Sequence, residues 1–238
     1  AAGGPWGKHT APLDWCEENY SWHPLVAELF NTASSSLYVL AGLCLSTRGG
    51  ACAKPPLHMQ YRLALVLTGV FSALFHATLW WWAQKLDEIA ETLMVVTLLY
   101  AGGPHPWLSR IHAAFAAVGI LCIPELFTEI HLVGTVALVV RRVIVHLGLS
   151  QGDAACAKAR AAMKAHAVRG VYAGLAGFAV WVGERVACRH VEYLHPHAFW
   201  HAATALALHD AGHAVCSAYR LRILKGLPVS LGRNEAVH

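Results

Sequence analysis

Residues 63–82, LALVLTGVFSALFHATLWWW, contain no Asp, Glu, Lys or Arg. A run of that length and character is what the hydrocarbon core of a bilayer requires of a helix, about 20 apolar residues. In lipid each backbone N–H and C=O must be satisfied within the segment, so the run is committed to helix before any tertiary contact is considered. Six further segments approach the same pattern, near 25–45, 87–103, 107–123, 126–147, 167–187 and 198–219. They are less pure: the third span opens with Asp87, Glu88 and Glu91, the fourth holds Arg110, and the fifth is interrupted by Arg141 and Arg142.

Composition agrees with this reading. Hydrophobic residues make up 56% of the chain and charged residues only 13%, with a mean hydropathy of +0.44. A soluble domain with so few charges would leave too much apolar surface in water. No internal repeat, low-complexity tract or heptad pattern divides the chain, which points to one all-α domain over 1–238, a seven-transmembrane helix bundle. It carries an acidic N-terminal segment, 1–24, and a polar tail, 220–238. The linker-like stretches are STRGGACAKPP at 46–56 and SQGDAACAKARAAMK at 150–164. The first residues lack the apolar core of a signal peptide, so targeting is expected to rest on the first membrane helix.

Seven spans put alternate connections on opposite sides of the membrane, and basic residues collect on the cytosolic side. Of 18 basic residues, 14 fall on the side of the 46–62 loop, among them Arg48, Lys54, Arg62, Arg110, Arg141, Arg142 and Arg233; Lys8, Lys85, Arg185 and Arg189 fall on the other. The N-terminus is therefore expected in the lumen or outside the cell and the C-terminus in the cytosol. The net charge of +4 is explained by topology and calls for no nucleic-acid partner. The same topology puts Cys52 and Cys156 in cytosolic loops and Cys44, Cys122 and Cys216 in spans, leaving Cys16 and Cys188 as the non-cytosolic pair. An oxidising compartment would permit a bridge between them. Two free thiols are the alternative, because spacing gives no distance.

Helix direction fixes the depth of each ionisable residue. The second span runs outward, placing His76 near its non-cytosolic end and Ser72 one turn deeper on the same face. The third begins at that surface, so Asp87 lies at a similar level. The seventh starts there too, with His197 and His201 four apart on one face. Three neutral imidazoles at one depth suit tetrahedral zinc with its fourth position open to water, the pattern of catalytic sites. His195 competes with His197 for the metal, but Pro196 places it ahead of the regular helix. His209 and His213 flank Asp210 on the same span, eight residues from His201, about 12 Å away at 1.5 Å per residue and too deep to share one ion. They read as an inner polar network. His112, His131 and His146 read as packing residues or helix–helix hydrogen bonders. The segment DWCEENYSWHPLVAE crowds Asp14, Glu17, Glu18, Asn19 and Glu28 around the entry to the first span. Oxygen donors so dense point to a hard cation, calcium above all, although no EF-hand glycine is present and a solvated acidic cap is the competing reading.

Three blocks, DWCEENYSWHPLVAELFNTASS, GVFSALFHATLWWWAQKLDE and HAFWHAATAL, resemble those of the alkaline ceramidases, membrane amidases of a superfamily that also includes the adiponectin receptors. The joint pattern S-x3-H-x10-D followed by H-x3-H, with the acidic block upstream, carries the resemblance. It implies zinc held by His76, His197 and His201, a water held by Asp87, and Ser72 beside the scissile carbonyl. It also implies calcium bound by Asp14, Glu17, Asn19, Glu28 and the carbonyl of Trp15, and a bridge between Cys16 and Cys188. The substrate implied is ceramide within the bilayer, cleaved at its N-acyl bond, with an alkaline optimum and, in a eukaryote, an endoplasmic-reticulum or Golgi membrane. The competing reading is a receptor of the adiponectin-receptor type with a largely structural zinc site, but that expects a sizeable soluble N-terminal domain. A metal transporter would spread its acidic residues along a path, whereas here they cluster at one mouth. The three tryptophans at 80–82 serve equally as an interfacial belt or a substrate wall.

Overall fold

The computed structural model describes residues 4–45, 58–101, 107–123, 126–149 and 156–226. The expected loop at 46–56 with Cys52, residues 150–155 of the second linker and positions 227–238 of the tail lie outside them. The described residues form helices: α1 (Leu29–Ser34), α2 (Ser36–Cys44), α3 (His58–Thr78), α4 (Trp81–Tyr100), α5 (Leu108–Cys122), α6 (Leu126–Leu149), α7 (Ala157–Val191) and α8 (Pro196–Leu224), with a 3-10 turn at Glu192–Leu194 before the last. Each of the seven expected segments overlaps one of them. α3, and α7 taken through Leu194, are long and apolar enough to cross a membrane.

Boundaries differ from the sequence reading in three instructive places. The first segment breaks at Ser35, because the hydroxyls of Ser34 and Ser35 donate to the Asn31 carbonyl (3.1 and 2.8 Å) and that of Ser36 to Ala33 (2.6 Å). Serine side chains compete in this way for the carbonyls a continuous helix would use. Asp87, Glu88 and Glu91 do not open the third helix but lie inside α4, which starts six residues before Asp87 at Trp81, so two of the three tryptophans open α4 rather than close α3. Residues 157–164, expected as linker, form the first turns of α7. Their alanines, lysines and arginine are strong helix formers, and no tertiary contact is needed to explain the difference.

The core lies where α3, α4 and α8 meet, with Tyr61, Leu65, Met94, Val95, Leu98 and Val215 buried together. Gly69 lets α3 approach the break between α1 and α2: a Cβ there would lie 2.7 Å from the Ser35 carbonyl oxygen and 2.7 Å from a methyl of Val39. Small residues at such crossings are how helices come close without a hydrophobic driving force. The outer face is apolar. Ile111, Phe115, Ile130, Val133, Ile144, Tyr172, Leu175 and Val186 are all more than half exposed.

His112 and His131 join α5 to α6, their Nε2 atoms 2.8 Å apart, in the helix–helix role expected of them. The inner network at Asp210 is also an inter-helix tie. Its carboxylate, fully buried on α8, accepts from His166 (2.8 Å) and Arg169 (2.8 Å) of α7, and the rings of His166 and His213 stack 4.7 Å apart. His146 has its side chain outside the described residues.

Candidate metal centre

The end of α3 and the start of α8 come together, and a tight connection lies at each. Leu79, with φ of 52° in the left-handed region, reverses the chain directly after α3. Its carbonyl accepts from the amides of Thr10 and Ala11, both at 3.0 Å, pinning the N-terminal segment over the turn. Before α8, His195 takes φ of 47° and Pro196 occupies the first helical turn, so the regular spiral begins in time to put His197 and His201 one turn apart.

His76, His197 and His201 are then buried side by side, 1%, 4% and 3% exposed. One ring nitrogen from each lies within 4.8 Å of the other two, and among the described residues this is the one His/Cys/Asp/Glu group so arranged. Which nitrogen faces the centre follows from the other one's partner. Nδ1 of His76 is bonded to the Glu28 carboxylate, and Nδ1 of His197 lies 3.1 Å from Oε2 of Glu184. A carboxylate at that position accepts, so each Nδ1 carries the hydrogen. Nδ1 of His201 is 2.8 Å from Ser34 Oγ, whose own hydrogen goes to the Asn31 carbonyl; here too the imidazole donates. All three rings therefore present an Nε2 lone pair to one point, with the orientation that outer partners impose on metal-ligating histidines.

Asp87, on α4, is 8% exposed, and its Oδ1 is buried without a hydrogen-bond partner. Ser72 is 2% exposed, its Oγ 3.1 Å from that of Ser35. Three buried imidazoles with a nitrogen each drawn to one place are a donor set that could hold a metal ion, and they fit one that takes three nitrogens and keeps a fourth position open. His195 does not join them. Its ring stacks on Phe30 at 3.9 Å, and it is His197 that lies with His76 and His201.

The acidic block wraps the same mouth. Glu17 accepts from the amides of Phe30 (2.7 Å) and Asn31 (2.9 Å) at the start of α1. Glu28, fully buried, accepts through Oε1 from the Trp15 amide (3.1 Å) while Oε2 meets both His76 and Asn31. Asn19 donates to Asp14 (3.0 Å), and its Oδ1 is buried and unpartnered. Glu28 thus touches both the imidazole group and the N-terminal segment. Cys16 sits opposite Cys188 with 5.5 Å between Cα atoms.

The family model for ceramidases matches residues 7–221. The chain belongs to the ceramidase family. Among ceramidase relatives, a putative alkaline ceramidase of Dictyostelium discoideum is 26% identical over 247 residues, covering 86% of this chain and 85% of its own length. Alkaline ceramidase YPC1 of Saccharomyces cerevisiae is 38% identical over 89 residues, 36% of this chain and 27% of that protein. Alkaline ceramidase 3 of Mus musculus is 37% identical over 86 residues, 36% of this chain and 32% of that protein. Of the residues singled out in the sequence, the structure brings His76, His197 and His201 together as a group that could hold a metal ion.

Sequence reasoning missed Glu184, 13 positions before His197, and Ser34, 167 positions before His201. A signal for Glu184 was present: a carboxylate within the sixth apolar segment is a functional flag by default.

Proposed function

We propose that this ceramidase-family chain is a seven-span membrane amidase that hydrolyses the N-acyl bond of ceramide to a sphingoid base and a free fatty acid, with zinc at His76, His197 and His201. The observation that carries the reading is the convergence of three buried imidazoles in a chain of this family, and the unpartnered Oδ1 of the buried Asp87 supports a proton-transfer role for that carboxylate. The apolar outer face supports the membrane setting, since patches of that extent on a water-soluble monomer would aggregate. The basic-residue bias supports a lumenal or external N-terminus, which puts the centre near that face.

Zinc held there supplies Lewis acidity, polarising the amide carbonyl and bringing the pKa of water toward neutrality. Asp87 accepts the proton that the attacking water loses and later delivers it to the departing sphingoid amine. Ser72 donates a hydrogen bond to the oxygen that gains charge as the amide carbon becomes tetrahedral. His76, His197 and His201 stay neutral, each keeping its Nδ1 hydrogen on Glu28, Glu184 or Ser34. Ceramide, a two-chain neutral lipid, stays in the bilayer, and the buried site brings water to its amide.

Asp14, Glu17, Asn19, Glu28 and the Trp15 carbonyl hold calcium in this reading, and a Cys16–Cys188 bridge fastens the N-terminal segment across the mouth. Burial raises the pKa of both Asp14 and Glu17 above the usual carboxylate range, outweighing the Asn19 hydrogen bond at the first and the Phe30 and Asn31 amides at the second. A raised pKa means that protons displace the cation sooner as pH falls. Calcium affinity, titrated from alkaline to mildly acidic pH, is expected to weaken while the pH is still above the ordinary carboxylate pKa; a flat profile there would exclude these two carboxylates as ligands.

Incubation of purified protein with a panel of ceramides, scored by release of sphingoid base, tests the function. Release that requires zinc is expected. Failure to cleave any member in the zinc-loaded state contradicts the amidase reading.

A further inference from the structure

Glu184 lies on α7 and is 2% exposed, in a helix whose neighbouring faces are apolar. Burying a carboxylate there costs several kcal/mol unless its oxygens are engaged. Both are. Oε2 lies 3.1 Å from Nδ1 of His197 on α8, and Oε1 accepts from the backbone amide of Cys16 at 3.2 Å. One side chain therefore joins a metal-centre imidazole to the N-terminal segment. The same imidazole is stacked on Trp15, with ring centroids 3.8 Å apart, and the guanidinium of Arg185, next in sequence to Glu184, lies 5.7 Å from the Trp15 ring centroid. His197 is thus gripped on its face by Trp15 and at its Nδ1 edge by Glu184.

We infer that Glu184 is the positioning residue of His197, fixing its Nδ1–H tautomer and ring angle while tying that ligand to the docked N-terminal segment. The inference rests on the zinc reading above and adds a residue to it. Its chemistry explains why a carboxylate is needed. Two donors, the His197 imidazole and the Cys16 amide, point at the two oxygens, and only a carboxylate accepts at both ends; a carboxamide would turn an NH2 toward one of them. Glu184 touches neither substrate nor ion and acts through His197.

The test compares zinc affinity, by chelator competition, in the purified full chain and in Glu184→Gln, with helix content and elution volume as checks on folding. The variant is expected to bind zinc roughly 10- to 100-fold more weakly, the range for losing an outer partner of a metal ligand. Affinity within twofold of the parent would overturn the role, while a parent chain that binds no zinc would instead remove the zinc reading and this role with it. Should Glu184→Gln not fold, selective ¹⁵N-histidine spectra of the zinc-loaded parent decide the matter. A proton on Nδ1 of His197 is expected, and one on Nε2 would overturn the assignment.

Discussion

Asp87→Asn is expected to abolish amide hydrolysis while leaving zinc in place. Asn has nearly the same shape, so α4 and the burial around it should persist, but an amide neither accepts the water's proton nor returns it to the leaving amine. Positioned proton transfer contributes roughly 10²- to 10⁴-fold to rate, and the loss should fall on kcat because Asp87 acts on the reacting water rather than on the lipid chains. Zinc content, measured on the same preparation, should stay near that of the parent, since Asp87 is not one of the three converging imidazoles. Hydrolysis at the parent rate would mean that another group moves the proton. Loss of zinc together with activity would mean that Asp87 is a ligand instead.

His201→Ala should have the other large effect, removing zinc and activity together. Of the three imidazoles it is the cleanest to delete. His76 is bonded to the carboxylate of Glu28, and truncation there would leave a fully buried carboxylate with Asn31 as the one donor to Oε2, a loss that would confuse loss of metal with loss of fold. The partner of His201 is Ser34, whose hydroxyl already donates to the Asn31 carbonyl and stays satisfied when the ring is gone. Zinc affinity should fall by more than the roughly 10- to 100-fold typical of an outer partner, because a ligand itself is lost. Helix content should hold. A variant that keeps both its zinc and its turnover would show that the ion, if present, is held elsewhere.

The three-histidine group could be read from the chain because, in the membrane reading, depth is one-dimensional: with seven spans of alternating direction His76, His197 and His201 are expected at one level, and the i, i+4 spacing on α8 fixes a common face. What could not be read is what depends on lateral neighbours. Which helix stands beside α8 is not encoded in hydropathy, so the approach of Glu184 to His197, and of Ser34 to His201 across 167 positions, had no signature in spacing. Local chemistry misled in the first segment, where apolar character argued for one helix and three consecutive serines divided it at Ser35. Glu28 was placed with the calcium ligands alone, while in the structure it also holds the Nδ1 side of His76. That double engagement puts the acidic segment and the imidazole group in direct contact, and it is the physical basis for expecting cation binding at one to be felt at the other.

The central claim is that three imidazoles hold a zinc ion through Nε2, with a position left open. Zinc K-edge absorption of the purified full chain measures this directly. The expected result is one ion per chain in a shell of three nitrogens and one oxygen, at about 2.0–2.2 Å. Absence of bound zinc, or a closed shell containing sulfur, would contradict it.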